Sequence, residues 1–187
     1  MTPKTRLDKA AILEAAAALA EETGIHNLTL SRVAARLGIK SPSLYNHIAG
    51  LNDLICGLAG LGLKRMGEAL RNAAVGKSRE DALRAVAAEF RRFAKANPEL
   101  YRTVIKLPEL RNGELKESVD ELVQILNAIL EPYHYKKEDA MHIIRIWKSA
   151  LHGFVSLESA GFFKNQCDIE ESFQRMVSCI IAGQNTR

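Results

Sequence analysis

Apolar residues recur three and four positions apart along almost the whole of this 187-residue chain, and alternating runs bounded by turn signals are nearly absent. That periodicity belongs to helices with one buried face, so the chain is expected to be all-α, with about nine helices. At 47% hydrophobic and 26% charged residues it can bury a sizeable core and carries no disorder-promoting bias.

Local punctuation sets the expected helix ends. A first helix runs from about Arg6 to Thr23, buries Ile12, Ala16, Leu19 and Thr23, and stops at Gly24. Thr29 is placed to cap a short second helix with Leu30, Val33, Ala34 and Leu37 on its inner stripe, and Gly38 supplies a left-handed stop. Ser41 is expected as the next N-cap and Pro42 as the first helical residue, opening a third helix to Ile48 with Leu44 and Ile48 inward. A fourth, from about Asn52 to Asn72, contains Gly57, Gly60, Gly62 and Gly67, which implies a bent or very closely packed helix. Ser78 with Asp81 opens a helix to Lys95, and Asn97-Pro98 a short one ending near Leu107-Pro108. Three longer helices follow, near 114–130, 137–160 and 169–182.

The net charge of +4 sits mainly at the N-terminal end, where residues 1–72 carry a surplus of three. This is a modest pointer to a polyanion. Cys56, Cys167 and Cys179 are odd in number and form no C-x-x-C pair, which suits neither a disulfide framework nor zinc and fits a cytoplasmic protein. The five histidines show no helical pairing with one another or with cysteine, so neither a metal nor a cofactor is expected. Glu14 interrupts the Ala-rich run at residues 10–20, and Glu21-Glu22 stand where a signal cleavage site would lie. No apolar stretch is long enough to span a bilayer. No nucleophile, base and orienting group stand out, so an enzyme is not expected.

Two short helices joined by a tight glycine turn, with a longer helix in front, have the geometry of a helix-turn-helix whose last helix enters the major groove of DNA. With Leu44 and Ile48 turned inward, Ser41, Pro42, Ser43, Tyr45 and Asn46 take the outer faces. Hydroxyls and an amide can bond phosphates or base edges, and Pro can touch a thymine methyl. The stretch Leu28-Thr29-Leu30-Ser31-Arg32-Val33-Ala34-Ala35-Arg36-Leu37-Gly38-Ile39, continued by Ser41-Pro42-Ser43-Leu44-Tyr45-Asn46-His47-Ile48, resembles the TetR family of bacterial regulators. The resemblance implies DNA contacts at Ser41, Pro42, Ser43, Tyr45 and His47, and phosphate contacts at Thr29 and Ser31. One departure stands out. Where the family commonly has Lys four residues after His47, this chain has Leu51.

The resemblance divides the chain into a DNA-binding domain, 1–50, and a helical effector-binding and dimerisation domain, 51–187. It implies a homodimer formed through the last two helices, a pseudo-palindromic double-stranded operator and a small-molecule effector that releases a repressor. Trp147 with His152-Gly153 is similar to the Trp, His-Gly signature of one subgroup of these sensor domains. Met66, Phe90, Phe93, Tyr101, Leu107, Trp147 and His152 are the candidate effector-lining residues, against the alternative that they are simply core. A second function class stays open at this point: a helical enzyme or small-molecule carrier whose N-terminal three-helix unit is only structural, with Tyr45 a surface tyrosine and His47 a capping histidine.

Overall fold

The computed structural model describes residues 7–105, 115–164 and 166–184. These form nine α-helices and no strand: α1 (Lys9–Thr23), α2 (Leu30–Arg36), α3 (Ser41–Leu44), α4 (Leu51–Ala74), α5 (Arg79–Ala96), α6 (Pro98–Ile105), α7 (Lys116–Leu130), α8 (Lys137–Ser159) and α9 (Ile169–Gln184). The expected all-α class and helix number are therefore observed among the described residues. Arg6, Leu107 and Pro108 lie outside them.

Two compact units result. The described residues within Met1–Arg65 and Asn97–Val119 make the first, and those within Met66–Ala96 and Asp120–Arg187 the second.

In the first unit, Asp8 caps α1 by accepting the Ala11 N–H at 2.8 Å, and Gly24 ends the helix at φ +84°. Ile12, Ala16 and Leu19 are buried as the periodicity requires. Thr23 is only half-buried and returns its hydroxyl to the Leu19 carbonyl at 2.8 Å. The glycines of α4 prove to mark close packing. A Cβ at Gly57 would fall 2.6 Å from a Leu13 methyl of α1, and one at Gly62 would fall 2.8 Å from Val104 and 3.1 Å from Leu100 of α6. At Gly62 a side chain would meet β-branched Val104 and the Leu100 backbone carbonyl at 3.4 Å, so α6 would have to shift, whereas at Gly57 the Leu13 side chain would have to turn aside.

In the second unit α5, α8 and α9 pack on one another around Phe90, Trp147, Leu151, Val155, Phe173, Val177 and Ile181. The apolar residues of α8 and α9 are thus divided between interior and surface. Ile144, Trp147, Leu151, Phe173, Val177 and Ile181 are buried within the chain, whereas Leu157 is exposed.

Candidate functional site

The N-terminal helix-turn-helix, called the head below, is built around two turns. Thr29 has extended backbone, and its hydroxyl accepts the Arg32 N–H at 3.3 Å, so α2 starts where a threonine can satisfy a free amide. At its other end Gly38 adopts φ +67°, its N–H bonds the Ala35 carbonyl, and the Ile39 N–H bonds that of Ala34. This is the Schellman arrangement, and the left-handed residue is the reason glycine sits there.

The start of α3 differs from expectation. Its N-cap is Lys40, with extended backbone and no side-chain cap, and Ser43 donates its N–H to the Lys40 carbonyl at 2.9 Å. Ser41 is already helical, so Pro42 falls at the second helical position. The regular helix is one turn, Ser41–Leu44, and continues only as hydrogen-bonded turns from His47 and Ile48 to the Leu44 carbonyl. Leu44 and Ile48 are fully buried, as the spacing predicts. Of the seven expected DNA contacts, Thr29, Ser31, Pro42 and Tyr45 are exposed, Tyr45 to 59%, and Ser41, Ser43 and His47 are half-buried. The structure brings them together on two adjoining short helices.

Charges secure the head. Arg36 holds Glu22 through two hydrogen bonds of 2.6 and 2.8 Å, which lowers the Glu22 carboxyl below its ordinary range. Asp53 accepts the Ala49 N–H at 2.9 Å and pairs with Lys9 at 3.2 Å. The backbone bond first, and the lysine second, favour its ionised form, and together they seat the turn into α4. Glu21 of α1 caps α6 by accepting the N–H groups of Glu99 and Leu100 at 3.2 and 3.0 Å. Buried Glu99 reciprocates by accepting the Ile25 N–H at 2.9 Å. Glu21 thus satisfies backbone donors at the start of α6, and Glu99 satisfies one in the 3₁₀ turn Ile25–Asn27 that follows α1.

The effector candidates divide between the units. Tyr101 lies in the first unit on α6, buried, and burial raises its phenol pKa. Met66, Phe90, Phe93 and Trp147 are buried in the second unit. His152 is half-buried against the Phe90 ring, edge to face at 5.1 Å, and burial first and Lys148 second push its pKa down to about 4. Its imidazole is therefore neutral at physiological pH. Trp147 donates its indole N–H to the Gln184 side chain at 3.1 Å and lines an apolar cavity of about 30 Å³ with Leu83, Val86, Leu126, Ile144 and Leu151. Leu107 lies outside the described residues.

Two features were missed by sequence reasoning. Gln184 is one, and an ion-pair cluster around buried Arg91 is the other. Arg91 makes two bonds to Glu158, of 2.8 and 2.7 Å, and one to Glu170 of 2.5 Å, tying α5 to α8 and α9, and its guanidinium lies 4.7 Å from the Phe173 ring centre. Partners 67 and 79 residues apart leave no trace in hydrophobic periodicity.

Residues 12–50 match the family described as bacterial regulatory proteins, tetR family, and residues 83–180 match the tetracyclin repressor-like C-terminal domain. This chain belongs to the tetR family. It is 30% identical over 183 residues to the HTH-type transcriptional regulator Rv0681 of Mycobacterium tuberculosis, covering 97% of this chain and 84% of that one. To the HTH-type regulator YobS of Bacillus subtilis it is 28% identical over 184 residues, covering 98% and 95%. The fold is similar to that of SCO7222, a TetR from Streptomyces coelicolor, with TM-score 0.77 at 17% identity over 95% of this chain and 97% of that one. As a tetR-family protein it is a DNA-binding transcriptional regulator, with a helix-turn-helix followed by a helical C-terminal domain. Among the described residues no helix is long and apolar enough to cross a membrane.

Proposed function

We propose that this tetR-family regulator is a cytoplasmic homodimeric repressor that reads a pseudo-palindromic operator with Thr29, Ser31, Ser41, Pro42, Ser43, Tyr45 and His47, and leaves it when a small molecule enters the helical C-terminal domain. The observation that carries the reading is the division of α3 between a buried anchor and an outward face. Leu44 and Ile48 hold the helix by their full burial, and Tyr45 stands 59% exposed beside them. A large aromatic left in water beside serines and a proline matches a surface built to meet phosphates and base edges.

Dimerisation is supported by what α8 and α9 leave uncovered. On α8 these are Met141, Ile146 and Leu157 among the small residues Ser149, Gly153 and Ser156, and on α9 they are Cys179, Ala182 and Gly183. Small side chains between exposed apolar ones let two helix pairs approach closely, and an isologous contact gives a two-fold axis that the operator mirrors.

The effector reading is supported by the apolar cavity beside Trp147. At about 30 Å³ it is far smaller than an ordinary ligand pocket, so a ligand binds by selecting or forming a more open arrangement of α5, α7 and α8. That differential affinity is what regulation requires.

The test is selection of duplexes from a random pool by the full chain, followed by footprinting and sedimentation of the complex. A two-fold symmetric site occupied by a dimer is expected. A monomer bound to one isolated half-site with full affinity overturns the proposal.

A further inference from the structure

We infer that Lys40, which precedes the first turn of α3, is a DNA-phosphate contact of the helix-turn-helix. The inference deepens the operator reading above and rests on it.

The argument is one of electrostatic accounting within residues 7–50. The described cations there are Lys9, Arg32, Arg36 and Lys40. Arg36 is closed on Glu22 in a two-bond pair, so the two together bring no net charge to DNA, and freeing the arginine would present a carboxylate to the phosphates. Lys9 pairs with Asp53, which is itself needed to hold the Ala49 N–H, so that pair is neutral as well. Arg32 keeps its charge, but one guanidinium nitrogen bonds the Asn27 carbonyl at 2.8 Å and turns the side chain towards the start of α2. Lys40 is exposed and has no ion-pair or hydrogen-bond partner for its ammonium among the described residues.

Its place in the chain completes the case. Lys40 immediately precedes Ser41 and Pro42, at the end of α3 that meets DNA first in a helix-turn-helix. It takes the cap position without using its side chain as a cap, which leaves a flexible four-carbon stem and a compact charge for a phosphate. Leu51, 39% exposed at the first residue of α4, brings no charge of its own.

A cation that neutralises a phosphate displaces condensed counterions, so removing one such cation from a complex with B-DNA flattens the plot of log affinity against log salt by about 0.9. The test is fluorescence anisotropy across a salt series with the full chain, on a mixed-sequence duplex and on one selected by the protein. Lys40→Gln should flatten the slope by about 2 for a dimer, equally on both duplexes, because phosphates carry no sequence information. Lys40→Arg should keep the wild-type slope, and removing the neutral pair together, Arg36→Gln with Glu22→Gln, should change it less than half as much. An unchanged slope in Lys40→Gln overturns the inference. So does flattening confined to the selected duplex, which would mean base readout, and so does equal flattening by Lys40→Arg, which would mean a backbone role at the cap. Wild-type protein that binds neither duplex sinks the operator reading itself, an outcome distinct from these.

Discussion

The head and the second unit use buried side chains in opposite ways. In the head, Leu44 and Ile48 are buried while their neighbours Tyr45 and Asn46 stand outside and Ser43 is half-buried, and the polar groups there are spent on caps and turns. In the second unit the candidate ligand-facing groups are themselves inside: Trp147 is bonded to Gln184, His152 lies neutral against Phe90, and little empty space remains. A surface that recognises DNA can be displayed ready-made, because the partner arrives at an exterior. On the proposal that these groups receive a small molecule, their present packing is that of ordinary core, and a ligand has to favour a more open arrangement. The charges follow the same division. Ion pairs of the head are exposed and individually weak, whereas Arg91 and Glu158 are nearly buried, so solvent replaces a lost partner poorly.

That contrast is broken most forcefully in the second unit. Arg91→Met should destabilise the protein by about 3–5 kcal/mol, because it removes two charge-assisted hydrogen bonds from the nearly buried Glu158 carboxylate and leaves it only Lys95 at 3.1 Å. Denaturant titration measures it. The double variant with Glu158→Leu should recover much of the loss, since burying neither charge avoids the desolvation cost. No loss in the single variant would show that the cluster is surface-like.

In the head, Leu44→Ala should cost about 2–5 kcal/mol as a cavity-forming truncation at a fully buried site. Thermal melting checks it, and a value near zero would mean that α3 is not anchored through this residue.

Much of this was legible in the sequence, for identifiable reasons. Gly38 and Thr29 act within a few residues of themselves, and Leu44 and Ile48 fall four apart, so local chemistry sufficed to place α2 and the inner face of α3. Ser41 was misread as a cap because serine is the better side-chain capper. The backbone instead begins its turn at Lys40, whose carbonyl alone closes it. The exchange between Glu21 and Glu99 and the Arg91 cluster were illegible because their partners are distant in the chain and no periodicity records them. The glycines of α4 announced close packing, but only the structure identifies Leu13 of α1 and Leu100 and Val104 of α6 as the surfaces they meet.

A smaller effect sharpens the account of the interior. Because burial depresses His152 to about 4, folding favours its neutral form. Its contribution is complete above the imidazole's ordinary value near 6.5 and is lost progressively as pH falls from there towards about 4. The loss over that range should be about 2–3 kcal/mol. His152→Leu should flatten that part of the stability profile in urea titrations at stepped pH. An unaltered profile would place the imidazole in solvent.

Smaller still is the effect expected of Leu51→Lys on the folded state. Leu51 is 39% exposed, so the change in stability should stay within about 0.5 kcal/mol. The salt dependence of DNA affinity should nevertheless steepen by about 2 for a dimer, on specific and random duplexes alike. An unchanged slope together with a lower melting temperature would assign Leu51 to the packing of the head.

The central claim is that the outward face of α3 meets DNA while its inward face only holds it in place. The most direct test compares Tyr45→Ala with the wild-type chain, measuring affinity for a protein-selected duplex by anisotropy and stability by melting on the same preparations. Tyr45 is 59% exposed, so its melting temperature should match wild type, while affinity falls by about tenfold or more, equivalent to about 1.4 kcal/mol. Wild-type affinity in a folded Tyr45→Ala protein would contradict the account.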